Sequence, residues 1–271
     1  MEHYGKTIKS MRQARSMSQS VLCENIMSRS NLSRFENQEY IPSFDKVIRL
    51  LQKLNVEVDE FLYVNNHYQV GDYARLYKRL IYAENRRNKK ELVDAAAEIA
   101  SNIARSGPFQ ELYKLSQLAL LENDLPAEET LQEISLSMRP VILNTENWLF
   151  ADFRRLNNFL GIFDVDEAIF VYHRATTEFV KYENFPRDNN IQIYLALNLG
   201  QLLAANGQEA QAIRYFEQAK KYAEINNKLF QKLTIEASLE KVLTTTQRSS
   251  SLDSFSTLLE VLDQIGYKDT V

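Results

Sequence analysis

The sequence predicts an all-α protein in which a small N-terminal helical domain precedes a long array of helical hairpins. Apolar residues recur every three or four positions along almost the whole chain, as they do on the buried faces of amphipathic helices. Only seven glycines and five prolines interrupt the 271 residues, too few for the turns of an all-β or doubly wound α/β fold. With 45% hydrophobic residues, the chain can bury a sizeable core.

Residues 18–36 predict two short helices joined by a tight turn. Ser18 and Ser28 carry hydroxyl groups that accept hydrogen bonds from the first N–H groups of a helix. Asn25 can adopt the left-handed conformation that ends a helix without glycine. The apolar residues expected to pack between the two helices are Val21, Leu22, Ile26, Leu32 and Phe35. The segment is therefore predicted to be a helix-turn-helix.

Three further helices complete the predicted N-terminal domain. One covers residues 6–15, with Ile8 and Met11 directed inward and its basic residues outward. Another begins after the turn at residues 41–43, and a short one covers residues 58–62. The apolar stripe of the longer helix is Phe44, Val47, Ile48, Leu50, Leu51 and Leu54. Five helices within residues 1–63 make a complete domain, and residues 64–71 are predicted to be a linker.

The outer face of the second helix of the pair carries side chains typical of DNA recognition. Arginine, asparagine and serine reach base edges or phosphates from a helix in the major groove. The predicted base-reading residues are Arg29, Ser30, Asn31 and Arg34, and the predicted phosphate contacts are Arg12, Arg15, Ser18 and Gln19. The alternative is a structural αα-hairpin with a solvated face. This face lacks the alternating Glu/Lys pattern of such a surface, which favours DNA binding.

The net charge of −4 is unevenly distributed along the chain. Residues 1–35 contain six basic and two acidic residues, whereas the remainder contains 26 basic and 34 acidic residues. The positive field is thus confined to the predicted DNA-binding domain, which indicates a small footprint on duplex DNA rather than general coating of nucleic acid.

Residues 72–271 predict helices of roughly 12 to 20 residues separated by short loops, as in a solenoid. Counted from Ile193, glycine occupies positions 8 and 15, alanine positions 20 and 27, and phenylalanine position 24. These residues are Gly200, Gly207, Ala212, Ala219 and Phe216. The spacing resembles the tetratricopeptide repeat, in which small residues let paired helices approach closely. A weaker copy beginning near Leu149 has Ala168, Tyr172 and Ala175 at the last three positions.

The N-terminal motifs and the repeat array together resemble Rgg-type regulators, also called the MutR group. The resemblance is carried by residues 5–15 (GKTIKSMRQAR), by Ser18-Gln19 and by residues 32–36 (LSRFE), and in architecture by the remaining chain. It implies a dimeric, cytoplasmic transcription regulator of Gram-positive bacteria. It also implies that the repeat domain binds a short signalling peptide, as in quorum sensing by peptide pheromones.

The concave surface of stacked hairpins is a groove suited to an extended peptide. The sixth positions of repeats beginning at Leu149, Ile193 and Asn227 are Arg154, Asn198 and Lys232. Asparagine can donate to and accept from a peptide backbone, and basic side chains can bind carboxylates. The predicted peptide-binding residues are Trp148, Arg154, Arg155, Asn157, Asn158, Tyr194, Asn198, Gln201 and Lys232, with Phe150 adding to an apolar pocket. The alternative is that these are solvated helix faces, with Trp148 in the core.

The sequence gives little support for catalysis, and we expect no enzyme, cofactor or metal. His3, His67 and His173 are isolated, and no phosphate-binding glycine loop or nucleophile motif occurs. The single cysteine, Cys23, is expected to pack in the core. The N-terminal residues contain no apolar signal segment, and no apolar stretch approaches the ~18 residues of a membrane span. We therefore expect a cytoplasmic protein that does not contact membranes.

One helix-turn-helix is too small for tight specific binding, so two copies are expected on half-sites about one helical turn apart. The predicted dimer contact is the apolar stripe Leu252, Phe255, Leu258, Leu259, Val261 and Leu262. The alternative is that this stripe caps the solenoid. Two other functions remain open. One is a ligand-independent, phage-type repressor, and the other is a tetratricopeptide adaptor with a vestigial helix-turn-helix.

Overall fold

The computed structural model describes residues 3–104, 107–185 and 190–246, which form helices joined by short loops and include no strand. The all-α prediction is confirmed. The helices are α1 (Tyr4–Ala14), α2 (Gln19–Cys23), α3 (Arg29–Glu36), α4 (Phe44–Leu54), α5 (Val58–Asn65), α6 (Asp72–Asn85), α7 (Lys89–Ala100), α8 (Gly107–Glu122), α9 (Leu131–Leu143), α10 (Phe150–Phe159), α11 (Val165–Phe179), α12 (Ile191–Ala205), α13 (Glu209–Ile225) and α14 (Leu229–Thr246). Short 3₁₀ helices follow α10 and α11, at Leu160–Ile162 and Val180–Tyr182.

The chain divides into two compact units, Met1–Arg75 and Leu76–Val271, so the boundary lies within α6. The predicted linker, residues 64–71, overlaps the end of α5 and precedes α6. The predicted dimer stripe, Leu252 to Leu262, lies outside the described residues.

The N-terminal unit contains its own core. Helices α1 to α5 contribute the buried residues Ile8, Met11, Leu22, Cys23, Leu32, Phe35, Leu50, Leu51, Leu54, Val56 and Phe61. Gly5 lies so close to the end of α3 that an added Cβ would be 1.8 Å from the Phe35 carbonyl oxygen. Glycine at this position is therefore what allows α1 to pack directly on the backbone of α3.

Two expected core residues of this unit are exposed instead. Val21 is 49% exposed because the short helix α2 directs Leu22, as expected, and Cys23 inward, which leaves Val21 on its outer side. Phe44 is 74% exposed because it begins α4, and the helix first packs against the core one turn later, at Val47. Both predictions were wrong, because the apolar spacing indicates a helix but does not show which of its apolar residues contact the core.

In the C-terminal unit, antiparallel neighbours pack as hairpins, most extensively α7 with α8, α12 with α13, and α13 with α14. The repeat residues of α12 and α13 behave as their spacing predicted. An added Cβ on Gly200 would meet the Phe216 ring at 2.5 Å, and Gly207 turns the chain with φ of +72°. Ala212, Phe216 and Ala219 are buried, as are Ala168, Tyr172 and Ala175 of the weaker copy.

Among the helices of the described residues, none is both long enough and apolar enough to cross a membrane.

Candidate DNA interface and ligand cavity

The turn between α2 and α3 is stabilised by local hydrogen bonds and by a hydrogen bond from α4. The Ser18 and Ser28 hydroxyl oxygens accept from the backbone N–H groups of Val21 and Asn31, each at 3.2 Å. Asn25 adopts the left-handed conformation, with φ of 60°, as expected. The Arg49 guanidinium donates to the Asn25 carbonyl, an interaction that the sequence did not reveal. These contacts fix the start of α3.

The outer face of α3 is open to solvent at the positions predicted to read bases. Arg29, Ser30 and Arg34 are exposed and Asn31 is half-buried. The Arg34 guanidinium lies over the Tyr40 ring, 5.9 Å from its centroid, which restrains this long side chain. Leu32 and Phe35 on the opposite face are buried. The helix therefore presents two arginines, a serine and an amide to a ligand while its apolar face anchors it.

The predicted phosphate contacts have different surroundings. Arg15 and Ser18 are exposed at the end of α1 and the start of α2. Gln19 is half-buried, and its amide nitrogen donates to Glu36 Oε2 at 2.9 Å. The prediction for Arg12 was wrong, because only 8% of this residue is exposed.

Arg12 instead forms a buried ion pair within the domain. Its Nε and Nη2 donate to the two carboxylate oxygens of Glu36 at 2.7 and 2.8 Å, and its Nη1 donates to the Met17 carbonyl at 2.7 Å. Burial favours the neutral form of Glu36, but the hydrogen bonds from Arg12 and Gln19 outweigh it and hold the pKa of Glu36 below its ordinary value. Arg12 thus joins α1 to α3 and is not available to a phosphate.

The C-terminal unit contains a cavity of about 800 Å³, with walls from α6, α8, α10, α12 and the 3₁₀ segment that follows α10. Six of the nine predicted peptide-binding residues line this cavity: Arg154, Asn157, Asn158, Tyr194, Asn198 and Gln201. They come from two helices, α10 and α12, that carry the repeat positions. The geometry thus brings most of the predicted set to one place.

Polar side chains of the cavity hydrogen bond to one another and to a neighbouring residue. Asn198 Nδ2 donates to Asn157 Oδ1 at 3.1 Å, and the Tyr77 hydroxyl donates to Asn158 Oδ1 at 3.1 Å. Gln231 Nε2 donates to the Tyr194 hydroxyl at 3.2 Å. These contacts orient polar groups that can hydrogen bond to peptide amides.

The other three predicted peptide-binding residues do not line the cavity. Trp148 is 3% exposed and packs against Phe153, with ring centroids 5.2 Å apart, so it belongs to the core. Arg155 donates to Glu111 at 2.8 Å and also contacts Asp152. Lys232 forms an ion pair with Glu224 at 2.8 Å. Phe150 packs against Tyr182 and Phe185, also away from the cavity lining.

Sequence reasoning missed the side of the cavity formed by α6 and α8. Tyr77 and Glu84 of α6 and Glu122 of α8 all line it, and Arg154 lies over the Tyr77 ring, 5.4 Å from its centroid. Burial, and then the neighbouring Glu122, raise the pKa of Glu84 to about 7. Burial also raises the pKa of Glu122. The helical spacing of Tyr77, Ile81 and Glu84 places them on one face, a signal that could have indicated this wall.

Among the described residues, no group of three or more histidine, cysteine, aspartate or glutamate side chains is arranged to hold a metal ion.

Residues 8–61 match the family model described as helix-turn-helix, so this segment is a helix-turn-helix domain of Cro/C1 type. No curated protein matches the sequence.

Solved structures match the fold of nearly the whole chain. A Listeria monocytogenes protein assigned as a transcriptional regulator has 15% identity and a TM-score of 0.77, with 98% of this chain and 93% of that chain covered. Bacillus thuringiensis PlcR, in complex with the peptide PapR7 and DNA, has 15% identity and a TM-score of 0.70, with 98% of each chain covered. The Streptococcus dysgalactiae pheromone receptor Rgg2 has 18% identity and a TM-score of 0.65, with 97% and 94% covered. The chain has the fold shared by these proteins.

Proposed function

We propose that the chain is a sequence-specific DNA-binding transcription regulator controlled by a short signalling peptide that binds in the cavity of its C-terminal unit. The observation that carries the proposal is the exposed face of α3, where Arg29, Ser30 and Arg34 project from a rigidly capped helix of a helix-turn-helix domain. A helix held in this way can enter the major groove, where arginine recognises guanine edges.

The cavity favours a peptide-controlled regulator over the two alternative functions. A ligand-independent repressor has no need of an amide-lined cavity of about 800 Å³, and a vestigial reading helix has no reason to keep two exposed arginines. PlcR and Rgg2 share the fold, and one is described with a peptide and DNA and the other as a pheromone receptor. We infer that this chain acts in the same manner, in the cytoplasm and as a homodimer, without catalysis or a cofactor.

The test of DNA recognition is binding of the full chain to the region upstream of its own gene. Arg29→Ala and Arg34→Ala should each weaken binding by about 1 to 3 kcal/mol and relax specificity at one base pair. Arg15→Ala should weaken binding to all sequences alike and reduce the salt dependence, because it removes a phosphate contact.

Arg214→Ala is the matched control, since Arg214 is exposed on α13, outside the helix-turn-helix. Fluorescence anisotropy at several salt concentrations measures all four variants. Unchanged binding of both α3 variants would mean that α3 does not read DNA.

A further inference from the structure

The charged groups of the cavity differ from those expected for a site that selects an acidic ligand. Two of the three basic residues predicted to face the peptide, Arg155 and Lys232, are paired with acids of the protein outside the cavity. The cavity lining instead includes one arginine, Arg154, and two carboxyl groups, Glu84 and Glu122. Acidic groups thus outnumber basic groups along this lining.

The two carboxyl groups come from different helices and meet at the cavity wall. Glu84 lies near the end of α6 and Glu122 is the last residue of α8, and both line the cavity, where Glu122 is close enough to raise the pKa of Glu84. Two adjacent carboxylates repel, so such a pair retains a proton near neutral pH unless a cation replaces it. The raised pKa of Glu84, about 7, reflects this burial and proximity.

One amide oxygen in the lining lacks a hydrogen-bond donor. Asn190 Oδ1 is buried and receives no hydrogen bond from any of the described residues. Asn157 Oδ1, in contrast, already accepts from Asn198. A buried acceptor without a donor is unfavourable, so binding of a ligand that donates an N–H group to it is favoured. The cavity is therefore matched to a ligand rich in donors.

We infer that Glu84 and Glu122 form a subsite of the cavity that binds a cationic amine of the ligand, either the N-terminal ammonium of the peptide or a lysine side chain. This inference rests on the peptide-binding function proposed above. An ammonium offers three donors and no acceptor, which suits two carboxylates, while the Asn157–Asn198 pair remains available to the peptide backbone. A cation at this subsite displaces the shared proton and removes the repulsion between the carboxylates.

The probes are three random octapeptide pools, all with a free C-terminus, and they distinguish the two sources of the amine. The first pool lacks lysine, arginine and histidine and has a free N-terminus. The second has the same composition but is N-acetylated. The third is N-acetylated and contains one lysine. The full chain is equilibrated with each pool, and retained peptides are quantified by ultrafiltration and mass spectrometry.

The wild-type chain should retain the first or the third pool about tenfold more strongly than the second, as expected for a charge-assisted hydrogen bond. Preference for the first pool assigns the N-terminal ammonium, and preference for the third assigns lysine. Glu84→Gln and Glu122→Gln should each retain the preferred pool and the second pool about equally. Glu146→Gln, an exposed acid outside the cavity lining, should keep the preference.

Loss of folding cannot account for the expected result, because the glutamine variants should still retain the acetylated pool as the wild type does. Equal retention of all three pools by the wild type would overturn the amine subsite and leave peptide binding intact. A preference that survives in both glutamine variants would also overturn it. Retention of no pool would overturn the peptide-binding function and the subsite with it.

Discussion

Glu36 is the single acid of α3, and its carboxylate accounts for the position of Arg12. Only 2% of Glu36 is exposed, and its two oxygens accept from both Arg12 and Gln19. A buried carboxylate requires such partners, since its transfer from water is otherwise very unfavourable. Arg12 and Gln19 are therefore structural neighbours of the DNA face, and they fix α3 relative to α1 and α2.

Glu36→Gln should lower the free energy of unfolding of the N-terminal unit by about 3 kcal/mol, because it leaves the buried Arg12 guanidinium without its counter-charge. Hydrogen exchange of amides within residues 4–65 of the full chain measures this local stability. Glu39→Gln is the control, as Glu39 is exposed three residues beyond the end of α3. If both variants exchange alike, the ion pair does not stabilise the domain.

Single residues were predictable from the sequence where their role is local. Ser18, Ser28 and Asn25 act within four residues of themselves, and the structure confirms all three. Arg12 and Glu36 are 24 positions apart, and nothing in the spacing shows that they meet. The sequence likewise does not show that Arg155 pairs with Glu111 or Lys232 with Glu224, because these acids lie on other helices. Both basic residues were therefore predicted to bind a ligand.

At the scale of the helices, close approach between α12 and α13 depends on Gly200. The nearest atoms to an added Cβ belong to the Phe216 ring, which is itself 1% exposed and has little room to move. This contact explains why the repeat spacing of small and aromatic residues was informative. It also explains why α6 to α9, which lack the spacing, were recognised only as helices.

Gly200→Ala should destabilise the C-terminal unit by about 1 to 3 kcal/mol through overpacking against Phe216. The double variant with Phe216→Leu should recover part of this loss, because the smaller side chain admits the extra methyl group. Denaturant unfolding followed by the fluorescence of Trp148 measures both. Gly161→Ala serves as control, as its added Cβ would meet its nearest neighbour at an ordinary 3.7 Å. A stable Gly200→Ala variant would show that the helices can separate without cost.

Only two walls of the cavity could be predicted from the sequence, because only some of its helices carry the repeat spacing. Its α10 and α12 walls carry repeat positions, which gave Asn157, Asn158 and Asn198. Its α6 and α8 walls depend on how degenerate hairpins stack, and hydrophobic spacing does not fix that arrangement. Glu84 and Glu122 could therefore not be paired from the sequence.

For the whole molecule, the two units should respond to pH in opposite directions. In the N-terminal unit, the pKa of Glu36 is lower in the folded than in the unfolded state, so its stabilisation is present above the unfolded value and disappears as pH falls through the folded one. In the C-terminal unit, the pKa of Glu84 rises from 4.5 to about 7 on folding. Its folded state binds the proton more tightly, so stability is highest at low pH and decreases as pH rises through about 7.

Between pH 5 and pH 8, only the C-terminal response should be visible, because the lowered pKa of Glu36 lies below this window. Trp148 is the single tryptophan of the chain and is buried in the C-terminal unit, so its fluorescence reports thermal unfolding of that unit alone. The midpoint should fall from pH 5 to pH 8, and Glu84→Gln should flatten this slope, whereas Glu146→Gln should not. Arg154 lines the same cavity, and its positive charge limits the size of the effect without changing its sign. A midpoint that rises with pH over this range would show that Glu84 and Glu122 do not retain a shared proton in the folded protein.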